Sequence, residues 1–210
     1  GWLPRRSVRP IVTYSIGIGL LGFGLGVAVQ LMPLWLNLRF GATEADLGPW
    51  YALAQLLSIS SVAVVPWLDR RFGASRSVMA MQLTSGALLA LIVAAPAFSI
   101  AIGLFMARSF LTNISWPFQQ SLLMGAVAAS ERASAAGIGF AVWGLANAIG
   151  PGIAGVLLGT GVLALPLLAG AVAYSGAGLA FGIGFARLHA RTRPWSEEAA
   201  LAVTPPEPLP

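Results

Sequence analysis

No cysteine occurs in this chain, which excludes a disulfide framework and any thiolate metal site. The one histidine, His189, lies in ARLHARTRPW beyond the last apolar run, a solvated place that does not suit ligation or catalysis. There are seven acidic residues, and none lies inside a long apolar stretch: Glu44, Asp46, Asp69 and Glu131 all stand in polar breaks. Without clustered His, Cys, Asp or Glu no metal centre can be built. An intramembrane serine protease would lack its buried Ser and His pair. Neither an enzyme nor a cofactor is expected, and a proton-coupled carrier would need its intramembrane proton-binding group outside this chain. Lysine is absent as well, so all twelve cationic side chains are arginines.

Charge is scarce throughout. Only 9% of residues are charged against 57% hydrophobic, with mean hydropathy +0.81, too little polar surface to coat a soluble globule. A hydrocarbon core takes about 20 helical residues, and six apolar stretches qualify: 11–38, 50–67, 78–95, 98–125, 134–158 and 162–186. The expected fold is all-α, a polytopic membrane protein with six transmembrane helices. Pro49, Pro66 and Pro96 predict loop starts or local unwinding rather than helix interior.

Arginine placement predicts orientation, because short cytoplasmic loops carry an excess of Lys and Arg. With the amino end inside, Arg5, Arg6, Arg9, Arg70, Arg71, Arg76, Arg132, Arg187, Arg191 and Arg193 all fall on the cytoplasmic side, and Arg39 falls outside near Glu44 and Asp46. The net charge of +5 and pI near 11.1 then reflect this pattern and contact with anionic headgroups, not nucleic-acid binding. Residues 1–10 read as a cytoplasmic linker without signal-peptide order. Residues 188–210, ending TPPEPLP, read as a disordered cytoplasmic tail.

The remaining arginine, Arg108, sits inside the fourth stretch in FMARSFLTNISWPFQQSLLMG. An arginine at mid-membrane costs about 2.5 to 3.5 kcal/mol on insertion scales and faces a bundle interior or a wet cavity. At 100° per residue, Arg108, Thr112, Ser115 and Gln119 form one row, and Ser109, Asn113, Trp116 and Gln120 a second beside it. Two readings are open: Arg108 satisfies a neighbouring helix in packing, or the two rows wet a cavity. In the fifth stretch, SAAGIGFAVWGLANAIGPGIAGVLLG, small residues including Gly150 and Gly155, with Pro151, predict close helix packing. Trp143 and Asn147, one turn apart, are its candidates for a cavity face.

In order and spacing the chain resembles the second half of a major facilitator superfamily transporter. GVAVQLMPLWLNLRFGATEADLGPWYALAQ, residues 26–55, is similar to the first two helices of that half, and PWLDRRFGASR, residues 66–76, to its loop motif G-x-L-a-D-R-x-G-R-K. ARSFLTNISWPFQQ resembles the fourth helix. The Gly-Pro helix resembles the fifth, whose counterpart carries G-x8-G-x3-G-P-x2-G-G, with Ala146 and Ala154 at two glycine places here.

The resemblance implies two inverted three-helix repeats, 11–97 and 98–187, in a half-transporter spanning 11–187. The third and sixth helices would lie outermost and the other four would line a cavity offering Gln30, Gln55, Arg108, Thr112, Asn113, Trp116, Gln119, Gln120, Trp143 and Asn147. Asp69, Arg70, Arg71, Gly73 and Arg76 would form a gating loop. It implies a secondary transporter moving a small solute, efflux included, by alternating access in a bacterial inner membrane. The cavity would close against a missing amino-terminal half or a second copy. The alternative expectation is a non-transporting scaffold or a channel-like six-helix protein.

Overall fold

A bilayer offers no water to backbone N–H and C=O groups, so an apolar chain must bond them internally, as helices do. The computed structural model describes the backbone of residues 7–201, and the side chains of all of these except residues 55, 57–63 and 189–201. Among the described residues there is no strand. The helices are α1 (Val8–Gly24), α2 (Met32–Phe40), α3 (Glu44–Phe72), α4 (Ala74–Val93), α5 (Phe98–Ala126), α6 (Arg132–Gly159) and α7 (Ala164–Leu201).

Five helical stretches, Val8–Phe40, Ala74–Val93, Phe98–Ala126, Ala129–Gly159 and Ala164–Leu188, are long and apolar enough to cross a membrane. By length and composition this is a membrane protein. With 29 residues α3 also has the length of a span, but residues 55 and 57–63 of its middle lie outside the described side chains, and it is not among the five.

The first stretch is not one uniform helix. Between α1 and α2 the chain forms a π-helical segment, Leu25–Val29, closed by the Gln30 N–H donating to the Leu25 carbonyl at 3.1 Å. Pro33, at the start of α2, has no N–H to continue the ladder, so the helix restarts from Leu31. By contrast, Pro49 and Pro66, expected at loop starts, both lie inside α3. Each proline removes one bond of a long ladder, and the surrounding bonds hold the helix. At the front of α3, Thr43 makes a capping box with Asp46: the Thr43 N–H donates to Asp46 Oδ2 at 2.8 Å, and Asp46 N–H to Thr43 Oγ1 at 3.4 Å. Gly73, at φ 76°, alone turns the chain from α3 into α4. Pro96 does fall in a break, between α4 and α5. The backbone of α7 stays helical to Leu201, so the segment expected as a disordered tail is helical that far, and residues 202–210 lie outside the described residues.

Small residues set the packing. On α7, Gly178 and Gly182 lie against Met79 of α4, and Gly86 of α4 lies against Ala171 and Ser175 of α7, close approach of the kind that draws helices together in lipid. At the crossing of the first helix with α6, a Cβ on Gly150 would meet Gly26 and Val27 backbone atoms at 2.5 and 2.6 Å. The ends are latched by polar bonds. Trp35 Nε1 donates to the Leu163 carbonyl at 2.7 Å. The Ser7 N–H donates to Glu131 Oε2 at 3.1 Å, and the Ala128 N–H to Ser7 Oγ at 3.1 Å. In cross-section the main contacts run α6, α1, α7, α4, α5, α3, an arc with α7 and α4 at its back. Opposite them α6 meets α5 at Trp116 and Trp143, and Asn113 and Trp116 stand exposed on this, its open side.

Candidate functional site

The two polar rows of α5 part company in the folded chain. Arg108, Ser115 and Gln119 are buried, at 2%, 0% and 1% exposure, and turn toward α4 and α7 at the back of the arc. Gln82 Nε2 of α4 donates to Ser115 Oγ at 2.7 Å, Gln119 Nε2 donates to the same oxygen at 2.8 Å, and Ser115 Oγ passes its proton-side bond to the Thr112 carbonyl at 3.0 Å. Arg108 Nη2 donates to the Tyr174 hydroxyl of α7, and the guanidinium lies 4.5 Å from the Tyr174 ring centroid. The partner of Arg108 is thus a neutral phenol that offers both an acceptor oxygen and a π face. Arg108 Nε, Gln82 Oε1 and Gln119 Oε1 are buried without a partner among the described residues.

The second row faces the open side. Asn113 and Trp116 are exposed, Ser109 and Gln120 half-buried, and Thr112 of the first row joins them at intermediate burial. A cavity of 470 Å³ opens here, walled by Leu25 and Val29 of the π segment, Tyr51 of α3 and Phe105 of α5, with Arg108, Ser109, Thr112 and Asn113 as its polar side. Gln30, next after Val29, donates through Nε2 to Asn147 Oδ1 of α6 at 2.9 Å. One turn before Asn147, Trp143 meets Trp116 edge to face, with centroids 6.4 Å apart, and also contacts Phe140. Gln120 Nε2 donates to the Tyr14 hydroxyl at 3.3 Å.

No protein-family model, curated protein or solved structure matches this chain. The functional reading therefore stands on residues and geometry.

The structure puts Arg108, Thr112 and Asn113 on one cavity wall, and joins Gln30 to Asn147, Trp116 to Trp143 and Gln120 to Tyr14 as separate pairs. Gln119 is set apart, inside the seam with Ser115. The Gln55 side chain lies outside the described residues. Gly150 sits in the α6 crossing, whereas a Cβ on Gly155 would meet nothing, and Pro151 packs against Gly26. Asp69, Arg70, Arg71 and Arg76 are all exposed around the α3–α4 turn at Gly73. Beyond the membrane stretch, hydrogen bonds from Thr43 hold the Asp46 carboxyl below its ordinary value.

Sequence reasoning missed four contributors: Tyr14, Tyr51, Gln82 and Tyr174. A signal existed for the last, since Tyr174 and Ser175 are the polar interruptions in an otherwise apolar sixth stretch, as Arg108 is in the fourth. What the arrangement offers is one fixed positive charge at the edge of an apolar, aromatic-walled cavity, with neutral hydrogen-bonding groups beside it. Such a set can hold a small solute by an anionic or acceptor group. It supplies no activated nucleophile and no titrating base.

Proposed function

We propose that this chain is one six-span half of a secondary transporter of the major facilitator type, moving a small solute by alternating access in a bacterial inner membrane. The observation that carries it is the placement of the only charged residue of the six stretches, Arg108, at the wall of a 470 Å³ cavity on the open side of the arc. Intramembrane charge lines solute pathways because elsewhere it is too costly to retain. In this reading α3 is the second of six spans, both termini are cytoplasmic, and the open side closes against a second six-span half. The interrupted first helix supports it, since discontinuous helices next to a midplane site are a recurring feature of carriers. Arg108 attracts the solute's anionic or acceptor group, Thr112 and Asn113 orient it, and Trp116 and Trp143 cover its apolar part.

One observation favours a second reading, a non-transporting assembly protein: α6 leaves Leu145, Ile149 and Val156 uncovered along one side, a face on which a partner helix would fit. Flux separates the two. The complete gene product in proteoliposomes should show saturable counterflow, and Arg108→Ala should abolish it while insertion is kept. Ohmic conductance or no flux would overturn the carrier, and transport surviving in Arg108→Ala with only stability lowered would leave the arginine to packing.

A further inference from the structure

A second concave region lies on the other side of α5. Between α3, α4 and α5 a cleft of 580 Å³ is walled by apolar side chains, among them Leu68, Met81, Leu111 and Ile114, and bordered by Arg76 and Ser77. Adjoining it is a 440 Å³ hollow at the start of α4, lined by Gly73, Ala74, Ser75 and Arg76. Phe72 and Arg76 line both, which sets a polar hollow directly beside an apolar cleft in one amphipathic surface trough.

Its polar end is built for an anion. The first turn of α4 has no side-chain cap and no acidic residue, which leaves positive N–H groups facing outward. Arg70, Arg71 and Arg76 stand exposed around the turn against a single acid, Asp69. Ser75 is already engaged, donating to the Phe181 and Gly182 carbonyls at 3.2 and 3.1 Å. Ser77 is not: it is 4% exposed, lines the cleft, and its Oγ has no partner among the described residues. A buried hydroxyl without a partner beside an apolar trough is costly unless a ligand oxygen meets it.

We propose that this trough binds an anionic phospholipid. The phosphate lies on Arg76 and the start of α4, Ser77 Oγ donates to an ester oxygen, and one acyl chain fills the cleft along Leu68, Met81, Leu111 and Ile114. A free phosphate would leave the apolar part empty, and a neutral lipid would leave the arginines unanswered. This site is independent of solute transport.

Native mass spectrometry of the full chain in neutral detergent, titrated with phosphatidylglycerol or phosphatidylcholine of the same acyl chains, tests it. Phosphatidylglycerol should be retained about tenfold better, the equivalent of one charge-assisted bond. Arg76→Gln should erase that preference, and Ala80→Trp, placed on the cleft wall, should lower retention of both lipids. Ser77→Ala should weaken phosphatidylglycerol retention without lowering Tm, a result that a merely structural serine would not give. Equal retention of the two lipids by the native chain, or an Arg76→Gln variant with its preference intact, overturns the proposal. Displacement of the lipid by equimolar inorganic phosphate also overturns it, reassigning the polar end to a free anion.

Discussion

Arg108 and Tyr174 form a buried pair with no carboxylate, and a double-mutant cycle measures what each contributes to the other. Tyr174→Phe keeps the ring beside the guanidinium but removes the acceptor of Arg108 Nη2. Because Tyr174 is 1% exposed and lies on the side of Arg108 away from the cavity, water does not replace that acceptor, and a hydrogen bond to a charged group contributes about 1.5 to 3 kcal/mol. Arg108→Met removes the charge and orphans the Tyr174 hydroxyl, which is 1% exposed, a loss of about 1 to 3 kcal/mol together with the cation–π attraction of up to about 2 kcal/mol. Since Arg108→Met also relieves the desolvation cost of a buried charge, each single change should destabilise by about 2 kcal/mol, some 30-fold in the unfolding equilibrium. The double change leaves neither an unpaired charge nor an orphaned hydroxyl and should also lie near 2 kcal/mol, not the roughly 4 kcal/mol of additivity. Reversible unfolding in mixed micelles reads all four proteins. Additive losses would refute the reasoning, because they would mean that the two side chains do not stabilise one another.

Two further outcomes follow from the packing and the caps. Gly150→Ala should separate the first helix from α6, because its new Cβ would meet backbone at 2.5 Å, with an overpacking loss of about 1 to 3 kcal/mol; Gly155→Ala, facing open space, should stabilise by up to about 1 kcal/mol. Thermal unfolding of the two variants in detergent compares them directly. The Asp46 carboxyl is held below its ordinary value by Thr43, so its contribution is present above the unfolded-state pKa and is lost as pH falls through the folded one. Hydrogen exchange at the first turn of α3 should accordingly quicken on acidification, beyond the intrinsic rate change, in the native chain and not in Asp46→Asn.

The composition alone determined the solvent and the class of structure: with so few charges and such long apolar runs, backbone groups had to be satisfied within helices. Helix boundaries near Phe98, Gly125 and Leu158 were legible because apolar periodicity ends there. The π segment at Leu25–Val29 was not, since nothing in GVAV distinguishes it from ordinary helix, and only close contact of Gly26 with α6 accompanies it. Pro49 and Pro66 misled for a related reason: a proline's lost bond is local, while the helix is held by the rest of its ladder.

For the site, spacing on a helical wheel put eight polar residues of α5 on one side but could not divide them. Rotation of α5 against its neighbours did that, sending Arg108, Ser115 and Gln119 to Tyr174 and Gln82, and leaving Asn113, Trp116 and Gln120 on the open side. The sequence by itself determined that a charge would lie within the membrane. Which group would answer it was decided by tertiary packing, because α7 approaches α4 through glycine and alanine closely enough to bring a phenol 66 residues away against the guanidinium.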